Sequence, residues 1–230
     1  MTIQLITYDN NKNPFGEMIT EINSFDSARV FDDFDINIIN LADKSIWQNR
    51  GSNCQSVNCI NDFKSLGTLL NNRHTDCHII VLLPGNMTFH YSYNGREYRH
   101  EMPIKDMLSE LKNHILSPIC NIPGRFISGA TTSLIGTNAI ESDFHFVNIS
   151  DQHIVTKTEN DVVTTVCSDN GTIISTFLAI NNADRLQAFI SEIGLSLKEK
   201  EEQPEWFQSI IMFDDEEQAK RIEVSKQIIA

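Results

Sequence analysis

No phosphate-binding loop, no Gly-x-Gly-x-x-Gly fingerprint and no Gly-x-Ser-x-Gly elbow occurs in this 230-residue chain. Readings as a P-loop hydrolase, a dinucleotide enzyme or a triad hydrolase therefore have no anchor. Positive charge is scarce: 18 Lys and Arg stand against 31 Asp and Glu, a net of −13. That balance repels phosphate backbones on average and disfavours nucleic acid or an anionic membrane as the main partner. No apolar run approaches the ~20 residues of a membrane span, and residues 1–10 lack the charged-then-apolar order of a secretory leader. Cysteine is sparse and odd in number, at Cys54, Cys59, Cys77, Cys120 and Cys167. Two of these lie in apolar strand patterns, where a reduced thiol packs as a small hydrophobe, so a reducing cytoplasm is the expected setting. With 40% hydrophobic residues the chain has the means to bury a substantial core without staples.

What is present is architecture. Apolar runs at Phe34–Leu41 and His78–Asn86 bracket a helical stretch, Asp62–Asn71. This order predicts a βαβ crossover and a parallel, Rossmann-like sheet. A first strand is expected at Thr2–Tyr8, ending in a turn-rich run to Pro14, and a helix at Phe15–Ile22. Residues 44–61 read as a polar surface loop. Asn94-Gly95 between two alternating runs, Thr88–Tyr93 and Arg96–His100, predicts a tight hairpin. Pro103 then opens an amphipathic helix with Ile104, Met107, Leu108, Leu111 and Ile115 on one face, closed by Ser117-Pro118.

The second half changes character. Residues 119–138 are rich in Gly, Pro, Ser and Thr and read as a connecting segment. Strand-like runs follow at Phe144–Ile149, Ile154–Thr158, Val162–Cys167 and Thr172–Ile180, predicting an antiparallel meander. A helix capped by Asn181 or Asn182 and ended at Gly194 would cover it. The expected division is thus a Rossmann-like α/β domain at 1–118, the connector at 119–138, an antiparallel β plus helix subdomain at 139–197, and a charged linker with a C-terminal helix at 198–230. That last helix opens on Asp214-Asp215-Glu216-Glu217 and has no closing Gly, Asn or Pro after Ile229-Ala230. It is either a fraying terminus or the first turns of a coiled coil leading elsewhere.

Three stretches carry a family likeness. They are Phe31-Asp32-Asp33-Phe34-Asp35-Ile36-Asn37-Ile38-Ile39-Asn40-Leu41 with Trp47 beyond, Val81-Leu82-Leu83-Pro84, and Pro204-Glu205-Trp206-Phe207 before Phe213-Asp214-Asp215-Glu216. Together they resemble the N-terminal region of multidomain bacterial proteins of phage-defence type, which continue into a helical linker and an effector domain. The resemblance implies that effector chemistry lies elsewhere and that these residues sense, gate or assemble. It assigns no catalytic residue.

Candidate sites follow from strand ends. Asp9 and Asp43 stand after the first two parallel strands, at the carboxyl edge where open α/β sheets bind ligands, and Pro84, Gly85 and Asn86 occupy the same edge. A carboxylate pair there could hold Mg²⁺; the ordinary alternative is turn capping. Trp47 offers apolar contact, and Tyr93, Arg96 and Arg99 on the hairpin offer stacking and charge. Cys54, Cys59, His74, Cys77 and His78 contain zinc-type donors, but their spacing is wide for a zinc site. No metal or other cofactor is implied. Trp206 and Phe207 are candidate oligomer contacts. The functional expectation is a non-enzymatic sensing, regulatory or assembly module whose partners are a second copy, a downstream domain or a small polar ligand. The rivals are a metal-assisted hydrolase working through the edge carboxylates and a stand-alone structural protein.

Overall fold

A computed structural model describes residues 1–7, 13–25, 27–42, 60–74, 77–85, 87–93, 95–102, 124–169 and 171–198, and of residues 60–65, 87–93, 97–102 and 195–198 the backbone alone. In chain order the elements are β1 (Ile3–Thr7), β2 (Glu21–Ser24), β3 (Ile36–Asn40), helix α1 (Ile60–Asn72) and β4 (Ile79–Leu82). The hairpin strands β5 (Met87–Tyr93) and β6 (Arg96–Met102) follow, then β7 (Arg125–Ile135) and β8 (Asn138–Val147). Three short strands, β9 (Ile154–Lys157), β10 (Val163–Cys167) and β11 (Ile173–Thr176), precede helix α2 (Ala183–Lys198).

The expected Rossmann-like, mostly parallel sheet with a separate antiparallel part is not what forms. One nine-stranded mixed sheet runs β2-β1-β3-β4-β11-β10-β8-β7, with β9 paired to β10 off that path. Four of its strand pairings are parallel and four antiparallel. The fusion happens at β11, which returns from its antiparallel partner β10 to lie parallel to β4, Ile174 opposite Ile80. Only two α-helices occur among the described residues. The expected helix at Phe15–Ile22 is a single 3₁₀ turn, Gly16–Met18, with Gly16 at φ +56°, after which the chain enters β2. The expected connector is largely β7, an eleven-residue strand paired along its length with β8. The proposed C-terminal helix and the helix after Pro103 lie outside the described residues.

The central strands are apolar on both faces, as strands covered on two sides must be. On β4, Ile79 and Val81 pack with Leu66 and Leu70 of α1, while Ile80 and Leu82 face the layer of Leu186, Phe189, Ile190 and Ile193 from α2. Each of those four α2 side chains is buried, and burial of such a residue contributes roughly 1.5–3 kcal/mol. Helix α2 begins where Asn182 Oδ1 accepts the Arg185 N–H at 2.9 Å, satisfying one of the free N-terminal donors. It runs through Gly194 rather than stopping there.

Several polar groups in the core are bonded to one another. Gln4 and Asn37, both fully buried, lie side by side on β1 and β3. Gln4 Nε2 donates to Asn37 Oδ1 at 2.8 Å, and Gln4 Oε1 accepts from Asn23 Nδ2 and the Arg29 N–H, each at 2.9 Å. Asn37 Nδ2 donates to the Phe31 carbonyl at 3.0 Å. Asn23, Arg29 and Phe31 are thereby held across the α1 side of the sheet. The hydroxyl of Thr164 similarly joins Ser133 and Thr156, each 3.1 Å away, tying β7, β9 and β10 together.

Candidate functional site

The parallel strands β1, β3, β4 and β11 end at one edge, the edge at which open α/β sheets bind ligands. Over β4 and β11 this edge is closed by the protein itself. Beyond β11, the Ala179 N–H donates to the Glu141 carbonyl at 2.9 Å, and the Ser142 hydroxyl stands 3.0 Å from the Phe177 carbonyl. Strand β8 therefore lies against the chain leaving β11. Arg185 of α2 secures the junction, donating to the Ala179 carbonyl at 2.9 Å and reaching Glu141 Oε2 at 3.6 Å.

Beyond β4, Pro84 is buried and Gly85 half-buried. A Cβ placed on Gly85 would come within 2.8 Å of Asp143 Oδ2, so the carboxylate occupies the space a side chain would take. Opposite Asp143, β7 bulges: Ser128 pairs with Phe144 and Thr131 with Ser142, so Gly129 and Ala130 face one residue of β8. Such bulges bend a strand and re-aim the side chains beside them. His145, two residues on and so on the face of Asp143, has its imidazole over Gly129, where a Cβ would meet Cε1 at 2.8 Å. Its Nδ1 lies 3.4 Å from the Gly129 carbonyl oxygen. Two glycines thus clear room for an exposed carboxylate and a half-buried imidazole at the rim of the sheet edge.

The sequence candidates distribute as follows. Gly85 and Pro84 are at the edge, Pro84 buried and Gly85 half-buried against Asp143. Arg96 is exposed at the start of β6, opposite Tyr93 in the hairpin register. Asp9, Asp43, Trp47, Asn86, Trp206 and Phe207 lie outside the described residues, as do the side chains of Tyr93 and Arg99. At the β3 end, Asn40 Oδ1 accepts the Ala42 N–H at 3.1 Å and turns the chain. Of the zinc-type donors, Cys77 is a buried thiol that receives the Asn37 amide at 3.6 Å. Among the described residues no three His, Cys, Asp or Glu side chains group as a metal set.

No protein-family model matches this chain, and no curated protein matches it. No described helix is long and apolar enough to cross a membrane.

The expected strand begins at Phe144, which leaves Asp143 outside it, while His145 falls inside it without being singled out. The signal was there: Glu141, Asp143 and His145 alternate with Ile140, Ser142, Phe144 and Phe146, a period of two that places the polar set on one face.

Proposed function

We propose that this chain is a non-enzymatic recognition and assembly module. The β7–β8 hairpin is the observation that supports the reading. Its inner strand lies against the chain leaving β11 and, through Asp143, against Gly85 after β4, at the edge where an α/β enzyme would keep a crevice for its substrate. Its outer strand ends the sheet, among the described residues, in a long edge with no strand beside it. A surface of that kind suits contact with another polypeptide. The likeness to the N-terminal regions of phage-defence-type proteins supplies a setting, in which such a module senses or gathers copies while a separate domain acts.

The test pairs molar mass by light scattering, over a wide concentration range, with turnover assays on nucleoside triphosphates and phosphomonoesters. Self-association without turnover supports the proposal. Turnover of a nucleotide that disappears in Asp9→Asn or Asp43→Asn would replace it with a hydrolase, and a monomer at every concentration would contradict assembly.

A further inference from the structure

Edge strands are templates for uncontrolled pairing, and proteins blunt them with shortness, charge or bulges. The strand edges of this sheet are treated unequally. Strand β2 has four residues and carries Glu21, which pairs with Arg29 at 3.2 Å. Strand β9 also has four and ends on Lys157, 3.7 Å from Asp161. Strand β7 has eleven, and its only charge is Arg125 at its first position. The bulge at Gly129 and Ala130 bends β7 and leaves Thr131–Ile135 as an uninterrupted stretch beyond it. Within that stretch Ser133 and Ile135 are buried toward the core, whereas Leu134 is 59% exposed.

We propose that Thr131–Ile135 of β7 pairs antiparallel with the same segment of a second copy, about a two-fold axis near Ser133, and continues the sheet across both molecules. The inference rests on the assembly reading above and names the surface that does it. A second copy is the occupant for two reasons. An antiparallel strand is self-complementary about a two-fold axis, so one sequence supplies both sides of the seam. Thr131–Ile135 holds no charged residue, so in a chain of net charge −13 the two strands of the seam meet without opposing carboxylates. Centred on Ser133, the pairing sets Leu134 of each copy across from Thr132 of the other, covering both apolar side chains.

Two measurements test this. Light scattering compares the unaltered chain with Leu134→Lys and Leu134→Val, and amide hydrogen exchange compares β7 with β2 in the unaltered chain at low and high concentration. The expected result is a dimer that Leu134→Lys abolishes and Leu134→Val keeps, with exchange slowed by tenfold or more at alternate amides of Thr131–Ile135 and unchanged in β2. If the unaltered chain associates while Leu134→Lys associates equally and β7 exchange ignores concentration, the seam is elsewhere and the assembly reading survives. If the unaltered chain never associates, both fall. Should Leu134→Lys fail to fold, the exchange data on the unaltered chain decide alone.

Discussion

Asp143 sits where a side chain on Gly85 would be, its Oδ2 2.8 Å from the position a Cβ would take. This contact joins the end of a parallel strand to the outer hairpin, and it makes Gly85→Ala a specific probe of the closed edge. Because the obstacle is the tip of an exposed side chain, it can yield, and the expected cost is about 1 kcal/mol rather than the several expected of a backbone clash. In a chain of this size that lowers the melting temperature by roughly 2–4 °C. Asp143→Ala in the same background should recover most of the loss, whereas additive losses would show that the two residues do not touch.

The Gln4–Asn37 pair yields a second prediction. Asn37→Ala takes from the buried Gln4 amide its 2.8 Å acceptor, leaving it the Arg29 carbonyl at 3.4 Å, and takes from the Phe31 carbonyl one of two donors, the Phe34 N–H remaining. A lost buried hydrogen bond and the weakened partners it leaves cost about 1–3 kcal/mol together, the loss that urea unfolding should register. Gln4→Leu combined with Asn37→Leu should cost less than the sum of the single changes, because contacting partners couple. Strict additivity in that cycle would argue against the bond.

Asn182 caps α2 through the Arg185 N–H. Asn182→Ala should destabilise by about 1 kcal/mol, and Asn182→Asp should be nearly silent. Equal losses for both, read from thermal unfolding, would place the helix start elsewhere.

Several elements were legible in the sequence but the architecture that joins them was not, and the failures have physical causes. The hydrophobic periods of Ile36–Asn40, Ile79–Leu82 and the Leu186–Ile193 face marked elements that burial enforces locally. Asn-Gly marked the hairpin between Tyr93 and Arg96. Strand β7 was read as a connector because Gly129, Ser128 and Thr131–Ser133 have loop-like composition; its strand character comes from pairing with β8, a tertiary effect that composition does not carry. The same is true of the mixed sheet, since nothing local to Ile173–Thr176 announces that it inserts beside β4. The candidate site was half visible: Gly85 was chosen for its position after a strand, while Asp143, which fills it, comes from a strand 58 residues later whose alternation was overlooked.

The hydrolase alternative yields its own prediction. A carboxylate pair built to hold Mg²⁺ would bind it in the folded state alone and raise the melting temperature by mass action. On the recognition reading, millimolar Mg²⁺ or Mn²⁺ leaves the melting temperature unchanged in the unaltered chain. A rise that vanishes in Asp9→Asn or Asp43→Asn would favour the enzyme.

Assembly through the β7 edge is tested most directly by sedimentation velocity of the unaltered chain and Leu134→Lys, run side by side over the same concentrations. Leu134 is the exposed apolar residue of the proposed seam, and an added charge there should leave the monomer's stability within about 0.5 kcal/mol. The account predicts a concentration-dependent dimer for the unaltered chain and a folded monomer for the variant. Identical sedimentation of the two, whether both dimeric or both monomeric, would contradict it.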